Sequence, residues 1–139
     1  MKKVLWVLLI MVLAGIAFAM YVFYKPHRNI VHEDAGFKLG ANELYLKYQE
    51  DETAANEKYL DKVVQVAGRI DEITTDQKGN MVLVLKKEGE MFGVSCTLDE
   101  SSRKYATDLK AGDKIMLKGI VTGGGTMMDV VMVQCHIVR

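Results

Sequence analysis

The sequence predicts an all-β domain, a five-stranded barrel of β-β-β-α-β-β order, behind a helical segment and an apolar N-terminal helix. Three observations predict it. Five strand-like runs follow one another between residues 62 and 139, four of them alternating apolar and polar residues. A helical stretch falls between the third and the fourth. Val4 to Phe23 is a run of 20 residues in which Gly15 alone is not hydrophobic.

The apolar run comes first in the chain. At 1.5 Å per residue, 20 residues span about 30 Å, the hydrocarbon thickness of a bilayer. Lys2 and Lys3 precede it; Tyr21, Phe23 and Tyr24 end it, and Lys25, Pro26, His27 and Arg28 follow. Aromatics at the boundary and charges beyond it read as an interfacial anchor. The competing reading is a signal peptide cleaved near Ala19, because Ala17-Phe18-Ala19 fits the small-x-small pattern. The expected organisation is therefore residues 1–24 as membrane anchor (or signal peptide), 25–40 as polar stalk, and 41–139 as helix plus barrel. Lysine and arginine tie across the run, and the short leading tail favours an inside N-terminus. His27 and His32 lie in the stalk near Glu33 and Asp34 without a metal-ligand spacing.

Residues 41–61 read as helix. Asn42 is the expected cap, Glu43 suits the first turn, and a second short helix is expected to begin at Asp51 or Thr53. Leu44, Tyr48, Ala55 and Tyr59 form a stripe at helical spacing. Tyr45, Tyr48 and Tyr59 are the candidates for a face that meets another protein.

From Lys62 the period becomes two. Val64, Val66, Gly68 and Ile70 make the first run. A turn at 76–80 leads to Met81–Leu85, which is apolar throughout and so buried on both faces or set in a tight barrel wall. A charged turn at 86–90 leads to Phe92, Val94, Cys96 and Leu98. Residues 101–109 are helical, and Ala111-Gly112-Asp113 turns the chain. Ile115, Leu117, Gly119 and Val121 form the fourth run, Gly123-Gly124-Gly125 a flexible loop, and Val131, Val133, Cys135 and Ile137 the fifth. This is the element order of an OB-fold. Gly68 and Gly119 offer places for a bulge or a close crossing.

The stretch ANELYLKYQEDETAANEKYLDKVVQVAGRIDEI, then VSC at 94–96, LKAGDKIMLKGIVTG and VQCHIV resemble the tRNA-anti-like OB-fold family over about residues 41–139. Its members are small bacterial proteins, often with an N-terminal signal or anchor. The resemblance implies the barrel. It carries over no activity, no catalytic residue and no cofactor.

The chemistry the residues permit is narrow. Equal numbers of basic and acidic residues, 18 each, exclude a strongly basic nucleic-acid binder. Without Lys2 and Lys3, 16 basic residues face 18 acidic ones. The strands carry one aromatic, Phe92, whereas single-strand binders stack bases on aromatics in a basic groove. Cys96 and Cys135 fall on the inward sets of strands that neighbour each other in an OB barrel, and are expected to form a disulfide outside the cytoplasm. Met127, Met128, Met132 and His136 make a soft-ligand group too sparse for a metal site. Ser101 and Ser102 have no histidine at a recognisable spacing, so no hydrolytic site is expected. A haem chaperone, another membrane-anchored OB-fold, would need a histidine and a tyrosine four residues apart beyond the barrel, which the chain lacks.

Ligands of OB barrels meet two loops, which gives Asp76, Lys78 and Asn80 in one and Gly123, Gly124, Gly125 and Thr126 in the other. The expected protein is a non-catalytic, single-pass module of the bacterial inner membrane, its domain facing the periplasm. It meets the lipid bilayer through residues 4–23 and binds an envelope protein or a small ligand, not nucleic acid. The alternative is a structural subunit of a membrane complex working through its tyrosine face.

Overall fold

Residues 1–24 and 30–138 are described by the structure, a computed structural model. Helix α1 (Lys2–Phe23) takes up the apolar run, and none of its residues is buried. It is long and apolar enough to cross a membrane. His27 lies outside the described residues.

Part of the segment read as stalk is folded. Ile30 is fully buried, and Phe37–Gly40 forms strand β1. The sequence hides it because four residues with two apolar members, in a polar context, show no measurable period. Tertiary contacts define the strand instead. It pairs in parallel with β2 (Val63–Thr75), and Phe37 packs edge-on against Tyr59 with ring centroids 5.0 Å apart. Lys118 Nζ donates to the carbonyls of Val31 (3.1 Å) and Glu33 (2.9 Å), fastening the incoming chain to the barrel.

The helical segment is two helices, α2 (Ala41–Glu50) and α3 (Glu52–Tyr59). Asp51 separates them and caps the second, its Oδ1 accepting from the Ala54 N–H at 3.0 Å. Asn42 does not cap α2; the extended residue Gly40 holds that position with no side-chain hydrogen bond. The expected tyrosine face is corrected too. Tyr45, Tyr48 and Tyr59 are 2%, 0% and 3% exposed, so they cannot meet a partner. Helical spacing shows that a stripe packs, not on what; here it packs on this chain's own barrel, where α2 touches β2 and three further strands.

The remaining strands are β3 (Met81–Leu85), β4 (Val94–Leu98), β5 (Lys114–Gly125) and β6 (Met128–Ile137), with α4 (Glu100–Ala106) between β4 and β5. The sheet runs β1-β2-β3-β4-β6-β5, and β5 pairs back onto β2, so β2 to β6 close a five-stranded barrel. Closure depends on the 13-residue β2. Its first half pairs with β5 and its second with β3, and the register shifts between Ile70 and Glu72. Strands β4 and β6 are parallel, the others in the barrel antiparallel. This is the OB-fold connectivity.

Gly119 works as expected. The register of β5 on β6 shifts between Lys118 and Ile120, and a Cβ at Gly119 would stand 2.6 Å from Cys135 Sγ. Gly68 lies under Ala41, where a Cβ would come within 3.0 Å of the alanine methyl. The triple glycine is not a free loop: Gly123, Gly124 and Gly125 end β5. A Cβ on Gly124 would meet Val130 at 2.9 Å and the Tyr48 ring at 3.2 Å. Gly124 is glycine because α2 and β6 press on it, whereas Gly123 has open space and takes a φ of 141°.

Candidate ligand-binding face

Strand alternation sorts the wall of the barrel. Leu83, Leu85, Val94, Cys96, Leu98 and Met132 are buried inside it. Met132 therefore points away from the outward His136, and the residues judged too sparse for a metal site do not come together on one face. No cluster of three His, Cys, Asp or Glu residues suited to a metal occurs among the described residues.

The outward positions of β3, β4 and β6 form a continuous face. Val82 is paired with Thr97, Val84 with Ser95, and Ser95 with Val131. Thr74 and Glu72 on β2 continue the same rows beside Val82 and Val84. Most of these residues are half-buried; Glu72 and Thr74 are exposed. Among these residues the face is β-branched and hydroxyl-bearing, with Glu72 its one charge and no aromatic. The sequence did not single these residues out, because outward members of an alternating strand look like spacers. The signal lay in Met81–Leu85, where outward positions are apolar as well.

The two loops flank this face at opposite ends. With β4 five residues long, about 15 Å separates them. The β2–β3 hairpin is rigid. Asp76 Oδ1 accepts from the N–H groups of Lys78 (2.8 Å) and Asn80 (2.9 Å), and Asn80 Nδ2 donates to Oδ2 (3.0 Å). These bonds hold the Asp76 carboxyl below its ordinary range, with the Asn80 side chain the largest cause. Gly79 takes the positive φ that the turn requires. Arg103 Nη2 of α4 donates to Asn80 Oδ1 at 3.2 Å. A groove of about 680 Å³ opens there, lined by Asp76, Lys78, Asn80, Thr97, Asp99 and Gln134 among others. At the other end Thr126 and Met127 form the β5–β6 turn, and Met127 is 85% exposed. Asp129 Oδ1 accepts from the Gly93 N–H at 2.9 Å and ties the β3–β4 loop to that end.

Folding brings a histidine to the serines after all. Ser101 Oγ and Ser102 Oγ lie 3.3 and 3.4 Å from His136 Nδ1, and Asp99 Oδ2 lies 4.0 Å from it. All three approach the same ring nitrogen. A nucleophilic triad needs serine and carboxylate on opposite ring nitrogens, so this is a capping network at α4. Asp99 Oδ2 also accepts from the Ser101 N–H (3.1 Å) and hydroxyl (2.7 Å), and the Ser101 hydroxyl is the main reason its carboxyl stays low. Burial pushes His136 down; Asp99 opposes and Lys118 reinforces the shift.

Cys96 and Cys135, the expected disulfide pair, meet inside the barrel, fully buried and 4.1 Å apart, with no bond drawn between them. Burial, the first cause, and the Cys96 thiol push Cys135 up. A second groove, about 660 Å³, runs along Gly68, Arg69, Tyr105, Leu109, Met116 and Ile137 on the β2–β5 flank.

The barrel closure and the N-terminal helix both lie within a match to the tRNA_anti-like family model over residues 1–137. The chain belongs to the tRNA_anti-like family. The matched span begins at residue 1, so in this tRNA_anti-like chain it includes α1. None of the curated proteins matches it. Among solved structures the chain is similar to a lipoprotein of Klebsiella pneumoniae proposed to bind nucleic acid, at 14% identity and TM-score 0.62, over 83% of this chain and 100% of that one. It is also similar to the S. pombe Stn1–Ten1 complex, at 18% identity and TM-score 0.41, over 55% of this chain and 58% of that one. The likeness to the Klebsiella protein concerns fold alone.

Proposed function

We propose that this tRNA_anti-like protein is a non-catalytic binding module, held at the bacterial inner membrane by α1 with its barrel in the periplasm. Its ligand lies on the β3–β4–β6 face, between the Asp76–Asn80 hairpin and the Thr126–Met127 turn. The observation that carries this reading is the face itself: half-buried Val84, Ser95, Thr97 and Val131, with the buried Val82 beside them, between two loops of OB type. Its apolar and hydroxyl groups suit an uncharged surface, such as an extended polypeptide segment of an envelope protein.

A photo-crosslinking residue placed at Val84 or Ser95 of the full chain in cells tests this. A discrete adduct from these positions, absent from the exposed α3 position Glu57, is expected. Equal adducts from both faces would sink the assignment. Anchoring is read separately from intact mass: a species beginning at Met1 or Lys2 supports the anchor, and one beginning at Met20 replaces it with cleavage.

Nucleic-acid binding is the second reading, favoured by the likeness to the Klebsiella lipoprotein. Fluorescence anisotropy with single-stranded oligonucleotides separates the two. The chemistry of the face predicts no saturable binding at physiological salt. Micromolar binding that weakens steeply with salt would install the second reading instead.

A further inference from the structure

We propose that Cys96 and Cys135 are joined by a disulfide in the mature protein, a covalent tie between the two parallel strands of the ligand face. The periplasmic reading supplies the oxidant; the pairing rests on geometry. The sulfurs are 4.1 Å apart, so each moves about 1 Å to reach bonding distance. Strand β6 carries the extra residue that aims them. Its register on β4 shifts between Cys96 and Leu98, and Gln134, with φ of 52°, turns Cys135 into the barrel. The space around Cys135 is shaped to its sulfur, since a Cβ at Gly119 would stand 2.6 Å from Sγ. Residues 96 and 135 come from distant parts of the chain, yet both side chains are fully buried at one point of the core.

The chemistry balances with a disulfide-bearing oxidant. One cysteine thiolate attacks an oxidant sulfur, forming a mixed disulfide and releasing one oxidant thiolate. The second cysteine thiolate attacks the mixed disulfide and releases the other. Two protein thiols are oxidised, the oxidant disulfide is reduced to two thiols, and two protons pass from cysteine to oxidant. With both sulfurs buried in the closed barrel, the exchange takes place before β6 docks, and the finished bond is shielded from reductant.

The test uses the full chain in its own membrane. Cells are quenched in acid, and the protein is denatured and alkylated with light N-ethylmaleimide without reductant. It is then reduced, alkylated with the heavy reagent and read by peptide mass. Heavy label alone on Cys96 and Cys135, with a linked peptide in the unreduced digest, is expected. Light label on both overturns the proposal. Protease treatment of spheroplasts in parallel reads the location. A protected barrel overturns the periplasmic reading whichever label is found; a digested barrel with light label overturns the disulfide and leaves that reading standing.

Discussion

Gly119 is where a single residue decides most. Its missing side chain leaves room for the Cys135 sulfur and the Val133 carbonyl, which a Cβ would meet at 2.6 and 3.0 Å. Gly119→Ala overfills the core and should cost about 1–3 kcal/mol, read as a lower midpoint in urea. Tyr48 makes the opposite case. Its ring is fully buried against Gly124, but its hydroxyl has no hydrogen-bond partner among the described residues. Tyr48→Phe removes a desolvated polar group and should leave stability unchanged or raise it, whereas Tyr48→Ala should cost about 3–5 kcal/mol. Burial, with Tyr59 and Glu52 adding to it, pushes the Tyr48 phenol from 10.0 to about 12. The unfolded chain then ionises first. Stability should be level below pH 10 and fall as pH climbs towards 12, a slope that Tyr48→Phe flattens.

At the scale of elements, short helices and hairpins hold through local hydrogen bonds. Asp51 stops α2 and starts α3, accepting from the Ala54 N–H at 3.0 Å; Asp51→Ala should cost about 1 kcal/mol in denaturant unfolding. The Asp76 carboxylate closes the β2–β3 hairpin. Its lowered pKa means the hairpin's contribution is present above the unfolded value and lost as pH falls through the folded one. Asp76→Ala should speed hydrogen exchange at the Lys78 and Asn80 amides and leave the barrel amides protected. Both elements were legible in sequence: Asp51 stood at the expected break, and 76–80 held a turn composition. Strand β1 was not legible, because Phe37 and Leu39 become a strand only through pairing with β2. The glycine run was misread for a related reason. Composition gives glycine freedom, which Gly123 uses at its positive φ, but crowding by Val130 and Tyr48 explains Gly124.

At the scale of the whole molecule, closure of β5 onto β2 produces both the core and the candidate face. Val84→Glu and Ser95→Arg put charge on that face without entering the core. Each should abolish crosslinking or binding there while shifting stability by less than about 1 kcal/mol, which a melt checks alongside. A loss of binding explained by unfolding would remove the face from consideration.

Period, length and composition alone determined the apolar helix, the helical pair, the five barrel strands in OB order and the proximity of Cys96 to Cys135. These follow from local alternation and a known connectivity, and local patterns survive whatever packs on them. Tertiary structure alone decided the rest. It buried Tyr45, Tyr48 and Tyr59, drew residues 30–40 onto the barrel, set His136 beside the α4 serines and turned the triple glycine into strand. Each depends on which surface arrives from far along the chain, and a stripe, a turn composition or a lone histidine reads the same before that surface is in place.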